Sequence, residues 1–256
     1  MEEAAPCYAV VSRDYMRSLV LSLLFAFSAI LYASYANDEL LLKWSFLYGM
    51  FLPVLVVSCL LVNLYLAGAR GCPSVVVLPE EPESRVVLGL AFGGVLVFLP
   101  TALLYRFLSA VRVTFSALSG TEGLLLTLMM QWAIAHLENG VVYFVPDTLA
   151  ELSGAPRARL PFVLLTAALM ATLHQWAYGS LALTATSLVF FTGIGLMYHG
   201  YVPYAPPREA EGYALAHFVW NALILTGLYS YLPAVIAVSA IMVVFFLIKG
   251  AGRALR

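Results

Sequence analysis

The sequence predicts an all-α, polytopic membrane helix bundle of about eight transmembrane helices, with both termini cytoplasmic. Three observations carry that reading. Of 256 residues, 62% are hydrophobic and only 11% charged, with a mean hydropathy of +0.93; soluble domains run about 45–50% apolar and about a quarter charged. The apolar residues gather in runs close to the ~20 residues that cross roughly 30 Å of hydrocarbon. Lys and Arg divide unequally between the loops on the two sides. The composition excludes an ordinary soluble domain, a disordered chain and a nucleic-acid binder. It predicts one integral membrane domain over 1–256, multi-pass in the cell membrane and surrounded by membrane lipids.

The spans follow in order. The first, 18–36, comes after Met-Glu-Glu rather than a basic leader. It reads as a retained span despite Ser34-Tyr35-Ala36, which loosely resembles a signal-peptidase site. Spans 44–68 and 86–105 complete an N-terminal group, 18–105, joined by the loop 69–85 with Pro73, Pro79, Pro82, Glu80, Glu81 and Glu83. Residues 106–122 read as an external segment, with Arg106 and Arg112 on the polar side of a short interfacial helix. Spans 123–146, 160–179, 180–201 and 213–230 come next, the middle two split by a tight turn at Gly179-Ser180. The last span is 232–248. Beyond the fourth, Asp147-Thr148-Leu149-Ala150-Glu151-Leu152 keeps a helical apolar pattern up to Gly154.

Charge sets the expected orientation. One side receives Arg13, Arg17, Arg70, Arg85, Arg157, Arg159, Arg208, Lys249, Arg253 and Arg256; the other receives Lys43, Arg106 and Arg112. An excess of basic residues marks the cytoplasmic side, and an even number of spans returns the C-terminus there. Cys7, Cys59 and Cys72 form no C-x-x-C pair and no zinc-finger spacing, so neither a disulfide framework nor a redox motif is expected.

Inside the spans one formally charged residue remains, Glu138. An ionisable group at mid-membrane costs at least a few kcal/mol, so such residues face the bundle interior and mark function by default. The bland alternative is a protonated carboxyl making one interhelical hydrogen bond. Gln131, seven residues earlier, shares its helical face and is a candidate partner. His217 and Asn221, four apart, share a face of span seven, as a polar cavity wall or as helix–helix glue. His174 sits alone among apolar residues on span five, where a packing role competes with a ligand role. His136 is rotated away from Glu138, and His199 lies at a span end; neither joins the candidate site. Together Glu138, His174, His217 and Asn221 supply a carboxylate, two imidazoles and an amide, whereas H-E-x-x-H, G-x-S-x-G and G-x-G-D are absent.

In this order the motifs resemble the CAAX protease and bacteriocin-processing (CPBP, or Abi) family of intramembrane endopeptidases, which includes the type II CAAX prenyl endopeptidases. The family pattern is Glu-Glu-x-x-x-Arg, then Phe-x-x-x-His, then His-x-x-x-Asn or Asp. The corresponding runs are Glu138-Asn139-Gly140-Val141-Val142-Tyr143, Met170-Ala171-Thr172-Leu173-His174 and His217-Phe218-Val219-Trp220-Asn221, with Phe191-Thr192-Gly193-Ile194-Gly195-Leu196-Met197-Tyr198 resembling the family's Gly-rich helix. The likeness covers about 123–230. It departs at Asn139, Tyr143 and Met170, which marks a divergent branch.

The resemblance implies hydrolysis of a peptide bond in a membrane-associated, lipidated or prenylated protein. Glu138 would be the general base for water, His174 would hold that water, and His217 and Asn221 would donate to the oxyanion. Asn139 and Tyr143 would support the site from behind. No cofactor is required on this reading; zinc on Glu138, His174 and His217 is the rival chemistry. Two further readings compete: a catalytically inactive scaffold or partner, and a proton-coupled transporter relaying through Glu138. Geometry poses a difficulty. At 1.5 Å per residue Glu138 lies about 12 Å, His174 about 21 Å and His217 about 6 Å from the cytoplasmic ends of their spans, so stagger or a longer span four is needed.

Overall fold

The computed structural model describes residues 11–36, 46–69, 77–78, 83–107, 121–155, 158–225 and 228–254. Cys7, Cys72, Lys43, Arg112, most of the loop 69–85 and most of the segment 106–122 lie outside them. Within them the regular elements are helices except for β1 (Val11–Ser12) and β2 (Val77–Leu78), which pair in parallel over two residues.

Among the described residues four stretches are long and apolar enough to cross a membrane: Leu47–Leu66, Glu83–Leu104, Leu160–Ala177 and Leu181–Tyr198. They correspond to four of the expected spans. A shorter apolar stretch, Leu232–Ile248, lies in the last helix. The remaining expected spans fall on helices α1 (Arg13–Ala36), α5 (Thr121–Leu152) and α8 (Glu211–Leu225). Span 213–230 is not one helix: α8 stops at Leu225, and a 3₁₀ turn, Leu228–Tyr231, precedes α9 (Leu232–Ala254).

The spans 44–68 and 86–105 are each interrupted by a π-helical turn. Leu47–Phe51 precedes α2 (Leu52–Ala69), and Gly93–Val97 joins α3 (Glu83–Phe92) to α4 (Phe98–Phe107). A proline follows each within a few residues, Pro53 and Pro100. Proline removes one i→i−4 bond, and a local π turn absorbs the slack. Further on, α6 (Leu160–Tyr178) ends at Gly179, whose φ of +65° suits glycine. Ser180 then caps α7 (Leu181–Tyr198) by accepting from Leu183 N. The tight turn expected at Gly179-Ser180 is therefore present.

Helix α5 is the axis of the fold. It packs against α1, α2, α6, α7 and α8, and from Gln131 to Thr148 nearly every residue is buried. A helix buried all round must satisfy its polar groups inside the protein, and Glu138, Asn139, Asp147 and Thr148 of α5 do so through partners on neighbouring elements. Pro146 illustrates this. It leaves the Val142 carbonyl without its helical donor, and His199 Nε2–H donates to that oxygen at 3.2 Å. His199, expected to have no special role at a span end, thus repairs the proline gap.

Candidate functional site

Helix α5 runs on to Leu152, as the apolar pattern after Asp147 suggests. That extension removes most of the geometric difficulty. Glu138 is 14 residues from Leu152 and His174 is 14 residues from Leu160, about 21 Å in each case. His217 starts deeper because the α7–α8 connection enters the bundle. Ala205, Glu209 and Ala210 within it are buried, and the Ala210 carbonyl accepts from the Tyr143 hydroxyl of α5.

The Glu138 carboxylate, 1% exposed, is met from three directions. Tyr48, in the first π turn, donates its hydroxyl to Oε1 at 2.8 Å. His174 Nε2 lies 3.5 Å from Oε1, and His217 Nε2 lies 3.3 Å from Oε2. Each imidazole is oriented from behind. His174 Nδ1–H donates to the Met170 carbonyl at 2.8 Å, and His217 Nδ1 is 2.9 Å from Asn139 Oδ1. Asn139 Nδ2 donates to the Tyr143 hydroxyl at 3.0 Å, and Tyr143 stacks on Tyr198 with ring centroids 4.0 Å apart. Phe190 and Phe191 of α7 wall the site, with centroids 4.5 and 5.6 Å from the His217 ring and Phe191 5.4 Å from His174.

The structure thus brings together Glu138, His174, His217, Asn139 and Tyr143 of the expected site. It does not bring in the other two. Asn221, half-buried one turn beyond His217, makes no hydrogen bond to the cluster, and neither does the buried Gln131. Tyr48, Phe190 and Phe191 are additions that the sequence did not single out. Only His174, with 14% of its side chain exposed, opens the cluster toward the outside.

The residues of the zinc alternative are Glu138, His174 and His217. The imidazoles address opposite oxygens of the carboxylate, and Oε1 already accepts from Tyr48. Among the described residues no group of three or more His, Cys, Asp or Glu is arranged to hold a metal ion.

Two further buried clusters flank the site. His136 Nδ1–H donates to the Trp132 carbonyl, and its Nε2 sits 3.3 Å from both oxygens of Glu211, which also accepts from Ser18. Toward the Leu152 end, Asp147 accepts from Arg159 Nε at 2.7 Å and from both Arg208 Nη atoms. Burial pushes the Asp147 carboxyl up, but Arg208, His199 and Arg159 outweigh it and hold the group below its usual range. Burial pushes His199 down to about 4, against the opposing pull of Asp147. His199 is therefore neutral at pH 7, and its 3.6 Å approach to Asp147 is not an ion pair.

Set against models of known protein families, curated proteins and solved structures, the chain matches none of them.

Proposed function

We propose that this chain is an intramembrane endopeptidase of the CPBP type, hydrolysing a peptide bond of a membrane-anchored, lipidated or prenylated protein near the cytoplasmic face. One observation carries the reading: side chains from three separate helices converge on a single buried carboxylate, with an imidazole at each of its oxygens. Three such groups from residues 138, 174 and 217 cost desolvation, and their convergence is what water activation needs.

In this reading the Glu138 carboxylate takes a proton from water. Tyr48 holds Oε1, fixing the carboxylate plane. His174, at the open side of the cluster, orients the water, and His217 donates to the oxyanion in a site walled by Phe190 and Phe191, where low dielectric strengthens such bonds. Asn221 is placed on the His217 face of α8, where an incoming peptide would meet it. The protons balance: the one leaving water resides on Glu138 and passes to the departing amine.

The test uses purified protein in bilayers with membrane-anchored peptide libraries, beside a Glu138→Ala control. Cleavage that disappears in the control supports the reading. Cleavage that persists would reject Glu138 as the base. No cleavage by the wild type, with pH-coupled flux lost in Glu138→Gln, would instead favour the carrier reading; neither activity would favour the scaffold.

A further inference from the structure

The hydrogen bonds behind His217 form a chain with only one consistent direction. The Ala210 carbonyl can only accept, so the Tyr143 hydroxyl proton is committed to it, 3.0 Å away. Tyr143 oxygen must then accept from its other neighbour, Asn139, 3.0 Å away. That places the Asn139 amide nitrogen toward Tyr143 and its oxygen toward His217 Nδ1, at 2.9 Å. An amide oxygen only accepts, so His217 Nδ1 carries a hydrogen. All four groups are buried, where an unmade bond costs most.

We propose that Asn139 and Tyr143 are positioning residues that fix the protonation of His217, holding the hydrogen on Nδ1 and aiming Nε2 at Glu138. The catalytic meaning of this rests on the endopeptidase reading; the hydrogen-bond logic does not. Nε2 lies 3.3 Å from Glu138 Oε2, and two bare acceptors at that distance repel. The Glu138–His217 pair therefore holds one shared proton. With that proton on Nε2, Glu138 is a carboxylate ready to act as base and His217 is a donor ready for the oxyanion. With His217 in the opposite tautomer, Nε2–H would come at the expense of Nδ1–H, and the Asn139 oxygen would face a lone pair. The groups behind the imidazole, Asn139, Tyr143 and the Ala210 carbonyl, are all neutral, so they orient it without placing a charge on that side.

The test is nitrogen-15 NMR of the histidine rings in full-length protein in bilayers, with His217 assigned by the loss of its signals in His217→Gln. The wild type is expected to show a protonated Nδ1. Asn139→Leu, which removes the acceptor at similar volume, is expected to shift hydrogen from Nδ1 to Nε2, while Asn139→Asp, still an acceptor, keeps it on Nδ1. If Asn139→Leu does not fold, Tyr143→Phe serves instead: it frees the amide to turn and is expected to yield a mixture of tautomers. A bare Nδ1 in the wild type would overturn the proposal. So would a distribution unchanged by both Asn139→Leu and Tyr143→Phe. In peptide cleavage, Asn139→Leu should lower kcat at least about tenfold with little change in KM, because Asn139 lies behind the imidazole, and Asn139→Asp should restore part of that loss. A wild type that cleaves nothing rejects the endopeptidase reading and leaves the NMR result to decide the relay.

Discussion

Replacing Gly212 by Ala adds one methyl where α8 crosses α3. A Cβ at Gly212 would run into the Val86 carbonyl oxygen and lie 3.0 Å from Leu90 N and 3.1 Å from Gly89 Cα. All three are backbone atoms of α3, so no rotamer change relieves the contact and the helices must part. Overpacking of this kind costs about 1–3 kcal/mol. The site should register it too. His217 is five residues further along α8, and its Nε2 is already 3.3 Å from Glu138 Oε2. A displacement near 1 Å breaks that contact, and misplacement on this scale costs about 10²-fold in rate. Gly68→Ala is the control, since among the described residues no atom beyond its own helix turn and chain neighbours lies within 4 Å of its Cβ; it should be neutral or stabilise by up to about 1 kcal/mol. The assays are denaturing-detergent unfolding and peptide cleavage on both variants. If Gly212→Ala matches Gly68→Ala in both, the crossing does not place α8 as argued.

Three other outcomes are expected. Tyr48→Phe removes a hydroxyl that donates to Glu138 at 2.8 Å; bonds to charged groups contribute about 1.5–3 kcal/mol, so cleavage should slow roughly 10- to 100-fold, and an unchanged kcat would deny Tyr48 its role. Asp147→Ala removes the carboxylate shared by Arg159 and Arg208; breaking a buried pair costs about 3–5 kcal/mol, readable by the same unfolding titration. His199 has a folded pKa of about 4 against an ordinary 6.5, so its contribution is full above 6.5 and is lost as pH falls toward 4. That loss amounts to about 3 kcal/mol, and His199→Gln should flatten this part of the stability–pH curve.

Local chemistry was legible in the sequence and distant pairing was not. The Gly179-Ser180 turn and the continuation of α5 to Leu152 are decided by neighbours within a few residues, through glycine's φ and apolar spacing. Glu138 announced itself as a lone charge in apolar surroundings, and order along the chain linked it to His174 and His217. Tyr48 carried no such mark, because its partner is 90 residues away and a tyrosine in an apolar run looks like any other core residue. The His199 contact depends on Pro146, and the Asn139–Tyr143 relay depends on Ala210; each becomes visible only when separate helices are brought together. Asn221, four residues from His217, shares its face of α8 and lies outside the hydrogen-bonded cluster.

The central claim is that Glu138 activates water to split a peptide bond. It is tested most directly by running the cleavage of a membrane-anchored peptide in oxygen-18 water and weighing the products, for the wild type and for folded Glu138→Gln. One heavy oxygen is expected in the new carboxyl terminus of the wild-type product, and no product from the variant. Equal cleavage by Glu138→Gln, or a wild-type product whose new carboxyl terminus carries no heavy oxygen, would contradict it.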